Sequence, residues 1–124
     1  MAANTQPIYT LLADIQWGSA ILSAANVAKN GTGTVTQVFS ADAVNGGFIQ
    51  KVRYRAIGTN VATVARLFIN NGASNATAAN NILYEEVTLP ATTLSETSQI
   101  LNQEILLGFA LPPGYRLSQL LELV

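Results

Sequence analysis

The stretch Phe48–Ile57 reads Phe-Ile-Gln-Lys-Val-Arg-Tyr-Arg-Ala-Ile. Successive side chains of a strand point to opposite faces, so a period of two separates an inner from an outer set. Phe48, Val52, Tyr54 and Ala56 fall on one face. Ile49, Lys51, Arg53, Arg55 and Ile57 fall on the other. The pattern predicts a half-buried β-strand with a basic outer face. Half of the six basic residues of the chain lie there.

Seven further segments read as short strands: Ile8–Ala13, Trp17–Leu22, Thr34–Ser40, Thr63–Ile69, Ile82–Leu89, Gln99–Leu107 and Tyr115–Val124. Thr34–Ser40 sets Val35, Gln37 and Phe39 against Thr34, Thr36 and Val38. Thr63–Ile69 is apolar on both sides over part of its length, as a strand buried on both faces would be. Turn signals separate the segments: Asn30-Gly31, Asn45-Gly46-Gly47, Gly58-Thr59-Asn60 and Pro112-Pro113-Gly114. Each supplies a residue that tolerates a positive φ or a fixed one. Asn70–Asn81 has no periodicity, exceeds a hairpin turn and has the length of an exposed binding loop. The end is ambiguous by pattern. Leu117, Leu120, Leu121 and Val124 would share a helix face, whereas Leu117, Gln119, Leu121 and Leu123 would share a strand face. The preceding turn favours the strand. About eight short strands at this spacing predict an all-β fold, an antiparallel β-sandwich of jelly-roll type. Residues 1–9 read as an extended N-terminal arm, and residues 10–124 as a single domain.

Composition excludes several chemistries. The 124 residues contain no cysteine and no histidine. Disulfides, thiolate or imidazole metal sites and imidazole acid–base catalysis are therefore absent. Net charge is −1, which gives no cationic excess for phosphate backbones, so nucleic acid is not expected as a partner. Glu85 and Glu86 are neighbours on a strand and point apart, so they cannot act as a carboxylate pair. Gly31-Thr32-Gly33 lacks the lysine and the following helix of a phosphate loop and reads as a turn. No metal, cofactor, small-molecule substrate or enzymatic activity is expected. The start lacks the basic and apolar regions of a secretory signal. The longest apolar run, Ile105–Leu111, falls far short of a spanning helix, so no membrane is expected. Apolar residues make up 49% of the chain and charged residues 10%. So little charge protects weakly against association, which points to life in an assembly.

Val35–Phe39, Arg66-Leu67-Phe68-Ile69-Asn70-Asn71-Gly72, Glu85-Glu86-Val87-Thr88-Leu89-Pro90 and Phe109-Ala110-Leu111-Pro112-Pro113-Gly114-Tyr115-Arg116-Leu117 together resemble a family of small tailed-bacteriophage virion proteins. The resemblance covers about residues 17–117. It departs after Leu117, where relatives continue with a Val/Thr/Gly strand and a Trp-containing strand. The resemblance implies a virion part without enzymatic activity, made in the host cytoplasm. The expected role is a capsid decoration, or cement, protein on the outer shell. Its partners would be the major capsid protein and copies of itself in a homotrimer. The candidate interface comprises the arm residues Ala2, Asn4, Gln6, Pro7 and Tyr9 and the ladder Lys51, Arg53 and Arg55. The ladder reads in two ways: docked on an acidic protein surface, or answered by glutamates of the neighbouring strand. The alternative role is a tail or fibre component that binds a host glycan through Trp17, tyrosines and loop amides.

Overall fold

A computed structural model describes residues 29–33, 35–100 and 102–123. The arm and the expected strands Ile8–Ala13 and Trp17–Leu22 lie outside the described residues. Within them all six expected strands form: β1 (Thr36–Ser40), β2 (Gly47–Arg55), β3 (Thr63–Asn70), β4 (Asn81–Leu89), β5 (Asn102–Leu111) and β6 (Arg116–Leu123). The structure is all-β and every pairing is antiparallel. One sheet has the order β1-β6-β3-β4; β2 and β5 form a second, two-stranded sheet.

The pairing is nested. The first strand pairs with the last, the second with the fifth, and the third with the fourth. The described residues thus form one long antiparallel ribbon, doubled back at the loop 71–80 and bent at two corners. Hydrogen bonds carry the ribbon through both bends. At the first, Ala41 N–H donates to the Tyr115 carbonyl at 2.8 Å and Gly114 N–H to the Asp42 carbonyl at 3.2 Å. At the second, Asn60 and Thr92 exchange backbone bonds of 3.0 and 2.9 Å. Each bend moves the chain from one sheet to the other. Lateral pairing of β3 with β6 then joins the outer and inner turns of the ribbon.

Side chains of both sheets meet in one apolar cluster. Ile49 and Val52 from β2, Leu111 from β5, Leu67 from β3, Leu117 from β6 and Ala41 from the first corner are all buried. Each large aliphatic side chain there contributes about 1.5–3 kcal/mol by leaving water. β3, central in its sheet, is buried on both sides: Ala65, Arg66, Leu67 and Phe68 are all at or below 4% exposure. The final segment is a strand. Leu117 and Leu120 are both buried although they fall on opposite faces, so both faces of β6 are covered there.

Three one-residue slips correct the alternation expected from sequence. Between Gln37 and Phe39 the partner strand advances by a single residue, so Gln37 is exposed while Phe39 packs on the core. Between Ile49 and Lys51 the register slips opposite Leu107 and Gly108, where Gly108 has φ +61°. Ile49 is therefore 8% exposed and Phe48 65%, the reverse of the period-two expectation. The third slip places Tyr84 as the extra residue of β4 between Glu85 and Leu83. A strand's side-chain period is two, so one inserted residue turns over the faces on one side of it. The expected end of the Gln99–Leu107 strand is corrected for the same reason. Gly108 bulges without ending the strand, which starts at Asn102 and runs on to Leu111.

A candidate interaction face on the two-stranded sheet

The outer face of the β2–β5 sheet gathers the ladder and two unburied apolar side chains. Lys51, Arg53 and Arg55 are all exposed, as alternation on β2 beyond the slip requires. Arg53 lies directly opposite Glu104. Its Nε donates to Glu104 Oε1 at 2.7 Å, and its Nη2 lies 2.6 Å from the same oxygen. Lys51 Nζ is 3.6 Å from Glu104 Oε2. The Arg53 hydrogen bond, then the Lys51 charge, hold the Glu104 carboxyl below the ordinary glutamate range. These groups are well solvated, so their attraction orders the face more than it stabilises the fold. Arg55 stands opposite Asn102, and no carboxylate among the described residues forms an ion pair with it. One carboxylate therefore answers two of the three cations. Beside them stand Phe48, 65% exposed, and Leu106, 80% exposed and directly opposite Lys51.

Of the two sequence readings of the ladder, the answer by a glutamate of the neighbouring strand holds for Lys51 and Arg53. Two of its members are answered by the neighbouring strand, and the face keeps an excess of positive charge. The arm residues Ala2, Asn4, Gln6, Pro7 and Tyr9 lie outside the described residues, so the structure does not place them against the ladder. The apolar half of this face was missed because it depends on a register slip. Gly108 inside an otherwise strand-like run was its signal.

The loop 71–80 corrects a second expectation. β3 and β4 pair up to Asn70 and Asn81, so the loop closes a hairpin after all. Asparagine amides do this. Asn70 Nδ2 donates to Asn81 Oδ1 at 2.8 Å and Asn71 Nδ2 to Asn80 Oδ1 at 3.2 Å. Asn80 and Asn81 donate to the carbonyls of Ser74 and Asn75, both at 2.9 Å. A short 3-10 turn, Ala78–Asn80, completes the loop. Arg116 also donates from Nη2 to the Gly72 and Ala73 carbonyls. Side-chain amides that bond their own loop substitute for the regular turn geometry that a connection of this length lacks. A shallow cavity of about 160 Å³ lies beside it, lined by Ile69, Asn71, Asn80, Asn81, Ile82 and Tyr115 among others.

Tyr54, Tyr84 and Tyr115 serve packing. Tyr54 and Tyr115 pack on the core cluster. Burial pushes the Tyr54 phenol well above its ordinary value, and its hydroxyl has no hydrogen-bond partner among the described residues. Tyr84 tilts against Phe109 with ring centroids 4.7 Å apart, which links β4 to the two-stranded sheet. Trp17 and Tyr9 lie outside the described residues. Among the described residues no group of acidic side chains could hold a metal ion, and no helix is long and apolar enough to cross a membrane. Comparison with protein families, characterised proteins and solved structures finds no match for this chain.

Proposed function

We propose that this chain is a structural protein of a tailed-phage virion, a capsid decoration subunit that holds to the major capsid protein and to copies of itself. The observation that carries the reading is the outer face of β2–β5. It combines two exposed large apolar side chains with three cations and a single carboxylate. Such a face suits an acidic protein surface with an apolar border. No reactive group is required of it. Each contact is weak, and repetition by symmetry supplies the holding power.

The finer architecture belongs to the same proposal. Nested pairing in which a ribbon bends between two sheets is the topology of a jelly roll, a fold of many capsid proteins. Six strands here take that order, and the apolar cluster between the sheets is what a sandwich core supplies. The arm, residues 1–9, would reach a neighbouring subunit. The tail-fibre alternative draws less support, because the asparagine amides offered for a glycan already bond within their loop.

Sedimentation of the purified protein with shells that lack it tests the reading. Saturable, symmetric occupancy is expected, and deletion of residues 2–9 should reduce it. Absence of binding to shells, with binding to tails or to a host glycan, refutes the role. Undiminished occupancy after the deletion removes the arm from it.

A further inference from the structure

We infer that the acidic surface received by the β2–β5 outer face is the β4 edge of a second copy of this chain. The inference deepens the virion-subunit reading by naming the partner of its cationic face, and it rests on that reading for the chain's being part of an assembly. Among the described residues β4 is an edge strand of the four-stranded sheet. It exposes Ile82 by 63%, Leu83 by 36% and Tyr84 by 45%. An apolar run on an open edge is a template for association that monomeric proteins avoid. Glu85, half-buried and accepting the Glu86 N–H, and Glu86 follow directly; they point to opposite faces, so it is the rim of the edge that carries both. Glu86 answers the buried Arg66 at 2.9 Å, yet its side chain stays 48% exposed.

The two surfaces share one polarity. From Ile82 to Glu86 along β4, apolar residues give way to carboxylates in the chain direction. Along β2, Phe48 gives way to Lys51, Arg53 and Arg55 in the same direction. Laid side by side in that sense, apolar ends meet and cations meet carboxylates. Two β2–β5 faces brought together would instead set cation against cation, or cations against Phe48. Like charges and unpaired charges across a contact exclude that arrangement. A contact between two different patches leaves each copy with one patch still to fill, until a ring closes. A trimer built this way needs no two-fold axis.

Two variants of the full chain test this by sedimentation velocity. Lys51→Glu with Arg55→Glu reverses the cationic face and leaves the Arg53–Glu104 pair in place. Glu85→Arg reverses the edge and leaves Arg66–Glu86 in place. The wild type should assemble, and each variant alone should assemble at least about tenfold more weakly. A chain that carries all three reversals should recover, because every reversed face then meets a reversed edge, including at the contact that closes a ring of three. Circular dichroism checks that each variant folds. Glu85→Gln, milder on the fold, should weaken assembly in the same direction. A wild type that is monomeric throughout, a Glu85→Gln variant that assembles unchanged, or a chain with all three reversals that folds but does not recover overturns the inference. A monomer that still coats shells would leave the virion reading intact. Loss of shell binding by the Lys51/Arg55 variant with unchanged self-assembly would assign the face to the capsid and also overturn it.

Discussion

Replacing Gly46 with alanine probes the first corner, where the ribbon passes from β1 to β2 beside the return from β5 to β6. Gly46 has φ +73°, and a Cβ built there would lie 2.5 Å from the Leu111 carbonyl oxygen, closer than real Cβ contacts come. A left-handed conformation costs an L-residue about 1–2 kcal/mol. Relief of the contact must move backbone that holds the corner. Gly46 N–H donates to the Asp42 carbonyl at 3.0 Å, and the same carbonyl accepts Gly114 N–H. Weakening those bonds adds about 2 kcal/mol. The expected total is about 3–4 kcal/mol, a large share of the roughly 5–15 kcal/mol that holds a domain. Two other glycines calibrate it. Gly114 has φ +78° with nothing near its Cβ position, so alanine there should cost only the conformational part, about 1–2 kcal/mol. Gly58 has neither constraint, and alanine there should be neutral or stabilise by up to about 1 kcal/mol through the unfolded chain. Urea unfolding reads the series. With a slope of about 2 kcal/mol/M, the Gly46→Ala midpoint should fall by roughly 1.5–2 M. A Gly46→Ala variant no less stable than Gly114→Ala would refute the reasoning, because the corner would then be able to yield.

Four further outcomes are expected. Leu67→Ala and Leu117→Ala, both at 0% exposure, should each cost about 2–5 kcal/mol in urea unfolding. Leu106→Ala, at 80% exposure, should leave unfolding within about 0.5 kcal/mol of wild type while weakening self-assembly. Tyr54→Phe should stabilise the fold by about 1 kcal/mol, since it removes a buried hydroxyl that has no partner among the described residues; destabilisation would reveal one. The pH profile has a fixed sign. Glu104 and Asp42 are both held below their ordinary values, Asp42 by the N–H groups of Asn45 and Val44. Depressed carboxyl values give stability that is complete above the ordinary range of about 3.9–4.3 and is lost as pH falls through the folded values. Tm should hold from about pH 7 to 5 and decline below about pH 4, less steeply in Glu104→Gln; a decline on raising pH instead contradicts the assignment.

The strands were legible because their signals are local. Val, Ile, Thr and aromatic residues in runs of five to ten, punctuated by Gly and Pro, locate all six strands of the described residues to within a few positions. Burial of β3 on both sides was equally plain from Thr63–Ile69. Facing was legible only between slips. Ile49 and Phe48 exchange places because β2 and β5 differ by one residue opposite Gly108, and a single strand's sequence does not contain its partner's length. The hairpin at 71–80 was hidden for another reason. Its closure depends on amides several residues apart that meet only after β3 and β4 have paired. In the candidate face the cations were visible from period two, and their answer by a strand glutamate was one of two open readings. Which glutamate, and that Phe48 and Leu106 stand beside it, came from register. Nested pairing could not be read at all, since no local pattern records which strand meets which.

Imaging the intact virion at a resolution that separates subunits tests the central claim most directly. The account predicts this chain on the outer shell as threefold-related copies, with the β2–β5 face of each seated on the β4 edge of the next. Copies confined to the tail, or a particle complete without the chain, would contradict it.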